Sequence, residues 1–245
     1  MPPKTFGHVG VDQLRTNTNV WTGYMDKEPF IHLGETSGIR YMNPLVDWVG
    51  GMTQLELSSF PTSDPEDLYN ESELKALVED FSEGCFVGFD QDNIVAMGLG
   101  IRVHFDLEKP LHTVHDIVPG NGTSGHHQDG DWYYGTSIAV SKQYRKRGIG
   151  NELYKLRKEV CQCFNLRGIV AGGVMPGYVD HKNDYSADEY IELVRKGELY
   201  DPTLTFQRDN GFQLVCALPN YIVNPEIDNN AALIVWQNPD YEVVN

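Results

Sequence analysis

Residues 137–150 read Ser-Ile-Ala-Val-Ser-Lys-Gln-Tyr-Arg-Lys-Arg-Gly-Ile-Gly and run straight into an amphipathic segment. Ile138, Ala139 and Val140 suit a strand, Arg145, Lys146, Arg147 and Gly148 a tight basic loop. Ile149, Leu153, Leu156 and Val160 then line one face of a helix. Such a loop aims several backbone N–H groups at one point, and the helix N-terminus adds partial positive charge. Gly148 and Gly150 let the backbone approach an anion without a Cβ in the way. The chemistry this stretch offers is the binding of a pyrophosphate. A P-loop or dinucleotide-binding fold is excluded, because there is no Gly-Lys-Ser/Thr and the glycine spacing differs from the dinucleotide fingerprint.

The basic loop stands out because the chain is otherwise acidic. Its 245 residues carry a formal net charge of −16, with 40% hydrophobic and 22% charged residues. That size and balance suit one soluble globular domain. The acidity argues against nucleic acid or an anionic membrane as partner, since phosphate contacts need clustered Lys and Arg. It is compatible with a cationic small substrate, or with solubility alone. No apolar run is long enough to span a bilayer, and Met-Pro-Pro-Lys-Thr-Phe-Gly-His lacks the apolar core of a signal peptide, so a cytoplasmic protein is expected. Cys85, Cys161, Cys163 and Cys216 do not make a disulfide framework at this length. His126, His127 and Asp129 lack metal-ligand spacing, so no metal is expected.

The elements that would position the loop can be read by period and punctuation. Residues 1–37 read as an N-terminal extension packed on a domain of residues 38–245. A strand is expected at 38–42, a weakly periodic helix at 43–60, and a stronger one at 70–82, where Leu74, Leu77, Val78 and Phe81 form one apolar stripe. Residues 85–89 and 93–105 read as a hairpin. Residues 106–130 read as a long Pro- and Gly-bearing loop, which at this length is usually functional or mobile. Strands follow at 132–140 and 168–175. A helix at 186–196 opens on the capping box Ser186-Ala187-Asp188-Glu189, and another opens on Asp201-Pro202. The last strands fall at 212–218 and 231–237. The fold class is a mixed α/β (α+β) domain around one sheet.

In this setting Arg145-Lys146-Arg147-Gly148-Ile149-Gly150 resembles the Gln/Arg-x-x-Gly-x-Gly/Ala loop of the GNAT N-acetyltransferases, preceded by Ile138-Ala139-Val140 at the family's spacing. The stretch from Leu166 resembles the family's next strand, and Phe206-Gln207-Arg208-Asp209-Asn210-Gly211-Phe212 its late helix. The likeness covers roughly residues 38–238. Gly130-Asp131-Trp132-Tyr133-Tyr134-Gly135 and Leu218-Pro219-Asn220-Tyr221 are similar to a subgroup sometimes fused to nitrilase-type domains; these residues include no such domain.

The resemblance implies a mostly antiparallel sheet with two splayed central strands and acetyl-CoA as co-substrate. Ile138, Ala139 and Val140 would bind the pantetheine arm through their backbone. Arg145, Lys146, Arg147, Gly148, Ile149 and Gly150 would hold the pyrophosphate, with Phe206 nearby. An amine, on a small molecule or a peptide, would attack the thioester directly in a ternary complex. The alternative is an acyl-CoA-binding sensor that has lost catalysis. Many members carry a Glu or His six residues before the Val140 position; Tyr134 stands here, with Asp131, His126 and His127 upstream. A tyrosine is a poor base at neutral pH, and Tyr134 reads more readily as a packing aromatic. The family's late-helix Tyr is replaced by Gln207, which leaves Tyr178 or Tyr185 to donate a proton to the thiolate. Acidic and aromatic residues in 176–200 would suit a cationic amine. Homodimers are common in the family, and nothing in the sequence demonstrates one.

Overall fold

The computed structural model describes residues 31–243. Eight strands form one sheet: β1 (Ile31–Leu33), β2 (Arg40–Met42), β3 (Phe86–Asp90), β4 (Asn93–Val103), β5 (Trp132–Val140), β6 (Gly168–Val174), β7 (Gln213–Leu218) and β8 (Ala231–Gln237). Their order is β1-β2-β3-β4-β5-β6-β8-β7, and every neighbouring pair is antiparallel except β5–β6. Among the described residues six α-helices accompany it: α1 (Val49–Ser59), α2 (Glu71–Phe81), α3 (Val114–Ile117), α4 (Ile149–Cys163), α5 (Ala187–Lys196) and α6 (Leu204–Asp209).

Local chemistry accounts for most boundaries. Asp90 pairs with Asn93, so β3 and β4 are joined through Gln91 and Asp92, with Gln91 left-handed at φ 53°. α2 starts on a capping box of Asn70 and Glu73, and α5 on one of Ser186 and Glu189. Asp201 is fully buried and accepts from the amides of Thr203 and Leu204, which starts α6.

Three elements differ from the sequence reading. Ile31–Leu33 pairs with β2 as an edge strand, so part of the expected extension is sheet; residues 1–30 lie outside the described residues. The helix expected from residue 43 begins as a 3-10 turn, Val46–Trp48, before α1. The long loop contains α3, which a capping box of Thr113 and Asp116 starts in a stretch too short for a periodic signal.

Alternation along the strands sets the two faces of the sheet. A Cβ on Gly98 or Gly135 would meet Leu153 or Arg157 of α4, and one on Gly173 would meet Leu204 and Gln207 of α6. α4 and α6 therefore share a face. α1 and α2 cover the other, where Val49, Met52, Leu55, Leu74, Leu77 and Val78 pack with Met97, Leu99 and Ala139.

Opposite Leu99 and Gly100, β5 has one residue too many: Leu99 pairs with Ser137 and Gly100 with Gly135, so Thr136 is a bulge. A bulge leaves ladder groups unpaired. Arg157, 2% exposed, fills that need by donating to the carbonyls of both Leu99 and Ser137, its guanidinium lying 5.8 and 5.9 Å from the ring centres of Tyr133 and Tyr154. Arg157→Leu strands those two buried carbonyls, so urea unfolding should show a loss of about 2–4 kcal/mol. An unchanged midpoint would mean that the bulge does not need the arginine.

Candidate active site

β5 and β6 pair only at Tyr133–Ile169 and Tyr134–Val170, then part. On its other edge β5 stays paired with β4 as far as Val140, and the Ser141 amide donates to Val95. Backbone groups alternate along a strand. Those of Ile138 and Val140 therefore face away from β4, into the gap that β6 has left. The Val140 carbonyl accepts from Arg145 Nε at 3.1 Å, which leaves the Val140 N–H for an incoming group.

The loop of residues 145–150 lies at the open end of this gap. Lys146 and Gly148 are both left-handed, at φ 64° and 84°, and Gly148 is the N-cap of α4. A Cβ on Gly148 would also press on Thr36 at 2.9 Å, so the position demands glycine for the fold as well as for any anion. Of the three basic side chains, Arg145 holds the carbonyls of Val140 and Ser59, and Arg147 sits 4.7 Å over the Tyr144 ring. Two of the three charges are thus held in place. Phe206 packs on Gly150, where a Cβ would come within 2.7 Å of its ring, and Asn210 bonds Asn151, so α6 braces the start of α4.

Glu152, in the first turn of α4, accepts from the amides of Thr36 and Ser37 and from the hydroxyls of Ser37 and Tyr41. Burial works against its charge, but these bonds hold its pKa below the ordinary value. They pin the helix start to β2 and the turn before it.

The α1 face of the gap is aromatic and proton-bearing. Tyr134 is 1% exposed at the point where β5 and β6 part. His112, brought in by the long loop, places Nδ1 2.6 Å from the Pro110 carbonyl and Nε2 2.6 Å from Tyr134 Oη. A carbonyl only accepts, so Nδ1 carries the proton and Nε2 accepts from Tyr134. Tyr221 Oη lies 3.0 Å from Tyr134 Oη and can donate to it. Burial raises the Tyr134 pKa well above its ordinary value and pushes Tyr221 up to about 12, while burial lowers that of His112. The cluster therefore holds a neutral imidazole and two protonated phenols.

The remaining candidates are placed elsewhere. Asp131 precedes β5, at the opposite end from Val140, and pairs with Arg167 at 2.9 Å and His104 at 3.7 Å. Tyr178 lies in the 3-10 turn Pro176–Asp180, is 4% exposed, and donates to the Tyr185 carbonyl. His126 accepts from the Arg102 amide and stacks on Phe81 at 4.5 Å. In the 176–200 stretch Asp188 accepts from the Ala217 amide, Glu189 caps α5, and Tyr190 is buried against Asp201. Of the acids and aromatics in this stretch, Asp188, Glu189, Tyr190 and Tyr178 are thus tied to structure, while Asp180, Asp184 and Tyr185 are exposed. Gln207 stands beside Gly173, with Oε1 lacking a partner among the described residues.

Sequence reasoning passed over His112, Tyr221 and Glu56. His112 lies in the long loop with no periodic signal. Glu56 had one: Val49, Met52, Leu55, Glu56 and Ser59 form the buried stripe of α1, so a carboxylate falls where an apolar residue is due.

Tyr134→Phe removes the donor to His112 and should cost about 1–3 kcal/mol in equilibrium unfolding. His112 also predicts a pH dependence. Its folded pKa is below the unfolded value of 6.5, so its contribution is present above 6.5 and is lost as pH falls below it. His112→Asn should flatten that acid slope; an unaltered slope would contradict the neutral assignment.

The comparisons bear on this geometry. The family described as "Acetyltransferase (GNAT) family" matches residues 50–186. In Bacillus subtilis (strain 168), the probable hydrolase YhcX is 33% identical over 188 residues, 76% of this chain and 36% of that protein. The uncharacterized N-acetyltransferase YkwB of the same organism is 27% identical over 218 residues, 88% of this chain and 96% of that one. The chain thus spans about a third of the length of YhcX and nearly all of YkwB. Among solved structures, the loading GNATL domain of CurA from Lyngbya majuscula superposes with a TM-score of 0.71 at 18% identity, over 81% of this chain and 97% of that one. The GphF GNAT-like decarboxylase in complex with isobutyryl-CoA gives 0.67 at 15% identity, over 81% and 98%. At these identities the structural likeness is one of fold, and it bears out the expected splayed, mostly antiparallel sheet. With more than half of the sequence matched and that sheet in place, the chain belongs to the GNAT acetyltransferase family.

Proposed function

We propose that this chain is an N-acetyltransferase that takes acetyl-CoA as co-substrate and an amine, on a small molecule or a peptide, as acceptor. One observation carries the reading: β5 and β6 part after Tyr134 and Val170, so the backbone of Ile138 and Val140 faces an open gap beside the start of α4. In this reading Ile138 and Val140 take the pantetheine amides as an added strand would. The amides of residues 145–150, with Lys146 and Arg147, take the pyrophosphate. Phe206 walls the slot.

The thioester supplies an activated acyl carbon. The Val140 N–H is placed to donate to the oxyanion that develops there. Tyr134, whose one proton goes to His112, can offer a group in the gap only a lone pair, and with His112 neutral it brings no charge into the core. At Gln207 a carboxamide stands where the family's tyrosine would protonate the thiolate, so the leaving group would depart with hydrogen-bond support only. Asp131 and Tyr178 are less well supported, since ion pairing and the Tyr185 carbonyl occupy them.

The proton-bearing pair Tyr134–His112 favours a second reading. GphF is named as a decarboxylase; with its O–H turned from His112 into the gap, Tyr134 could protonate the carbanion left by loss of CO2 from a carboxyacyl thioester, the phenolate then taking a proton back from solvent. Malonyl-CoA would then yield CO2 with the thioester intact, whereas acetyl transfer yields free thiol. A chain that binds acyl-CoA and does neither is a binding protein.

The first test is thermal unfolding with acetyl-CoA. Ligand at one hundred times Kd should add about 2.7 kcal/mol and raise Tm by several degrees. Lys146→Glu with Arg147→Glu should abolish the shift and leave the unliganded Tm nearly unchanged, because both side chains are exposed. No shift at millimolar acetyl-CoA in the unaltered protein would remove the site assignment.

A further inference from the structure

The α1 face holds a second proton-bearing group that the gap itself does not use. Glu56 is 3% exposed, and its Oε2 accepts from Ser137 Oγ at 2.7 Å. Because Thr136 is a bulge, Thr136 and Ser137 both lean toward α1, where strict alternation would send only one. Ser137 thus lies three residues past the last β5–β6 pair, with its carbonyl held by Arg157 from one face and its hydroxyl held by Glu56 from the other.

Beside Glu56 is a cavity of about 30 Å³, lined in part by Tyr69, Thr136, Asp67 and His115. One water needs roughly 10–15 Å³ of such volume, so it has room for about two. Tyr69 Oη and Thr136 Oγ1 are neighbours there, and neither makes a hydrogen bond of normal geometry among the described residues. Two unpartnered hydroxyls and a carboxylate are the partners that ordered water requires. At the outer end Asp67 pairs with His115 at 3.1 Å, and the His115 side chain is 49% exposed.

We propose that Glu56 is the proton acceptor for the incoming amine, working through the Ser137 hydroxyl, and that the cavity returns this proton to solvent past Asp67 and His115. The proposal rests on the acetyl-transfer reading. An amine arrives as an ammonium ion; an N–H bond breaks, its electron pair stays on nitrogen, and an O–H bond forms on Glu56 as Ser137 passes its proton on. The freed nitrogen then forms the C–N bond while the C–S bond breaks. The thiolate leaves with that electron pair and takes the second proton lost by nitrogen. One proton per turnover remains, and it needs a way out.

The electrostatics suit the task. The groups facing Glu56 from the packed elements are Tyr69, Glu66 and Asp67 of the turn before α2, Glu73 of α2 and His115 of α3. Glu73 is tied to the Asn70 cap and Asp67 to His115. No cation pairs with Glu56 among the described residues, and burial raises its pKa to about 7 despite the hydrogen bond from Ser137. A base works best when its pKa lies near the working pH.

Glu56→Gln keeps the size and can still accept from Ser137. Thiol release from acetyl-CoA would be followed from pH 5 to 9 with methylamine, n-butylamine and ethylenediamine as probe acceptors. The unaltered protein should show an acid limb in kcat/KM near pH 7. Glu56→Gln should lose that limb and at least about 100-fold in rate, with its acetyl-CoA thermal shift intact. Ser137→Ala should lose rate while leaving the carboxyl in place.

A readout without turnover accompanies these. The folded pKa of Glu56 lies above its unfolded value, so its contribution to stability is full below about 4.5 and is lost as pH rises through about 7. The Tm of Glu56→Gln should therefore gain on that of the unaltered protein between pH 5 and 8. Identical pH–rate profiles in the two proteins would overturn the role of Glu56 and leave acetyl transfer standing. Acetyl-CoA binding with no thiol release from any probe would overturn the transfer reading and this proposal together.

Discussion

The structure turns on two parallel strands that share only two residue pairs. Parallel strands in a sheet interior normally pair along their length, because unpaired backbone groups in a core cost about as much as lost hydrogen bonds. β5 and β6 stop at Tyr134 and Val170, and the backbone beyond is left facing a gap. Everything around that gap either props it open or makes use of it. Tyr134 and Tyr221 fill the vertex on one face, with His112 capping them. On the other, Gly173 lets α6 approach β6 closely, and Arg157 of α4 satisfies the carbonyls that the Thr136 bulge strands.

The two faces divide the chemistry. The α4 face carries features that suit an anion: two left-handed residues, a glycine N-cap and basic side chains in a chain that is otherwise strongly acidic. The α1 face carries groups that can hold protons: buried phenols, a neutral imidazole and a carboxyl group that pairs with no cation among the described residues. Acyl transfer from a thioester needs both, and β5 is the wall they share. The bulge at Thr136 is the local device that lets one strand serve the two sides, since it turns Thr136 and Ser137 toward α1 while Ile138 returns to the α4 face.

The strand, loop and helix around Gly148 were legible in the sequence, and the buried proton-bearing side chains were not. Strand, basic glycine loop and amphipathic helix are contiguous, so residues 137–163 were legible as a unit, and the Ser186 capping box and Asp201 marked helix starts that the structure repeats. His112, Tyr221 and Glu56 come from three distant segments and meet only through the fold. No spacing rule links a loop histidine, a tail tyrosine and a helix glutamate. Asp131 shows the converse: it lies near Tyr134 in sequence, yet period-two geometry and Arg167 hold it at the far end of the strand. The acidic stretch of 176–200 shows a related limit, because composition does not say that Glu189 caps a helix while Asp180 and Asp184 stay exposed.

Amide hydrogen exchange with and without acetyl-CoA reads the gap residue by residue. The amides of Ile138 and Val140 should exchange quickly in the free protein for so central a strand, since β6 does not cover them. They should slow markedly on binding, together with those of residues 146–150. Ala139, bonded toward β4, should be slow in both states. Slow exchange of Val140 without ligand, or protection by acetyl-CoA that leaves Ile138, Val140 and residues 146–150 untouched, would contradict this expectation.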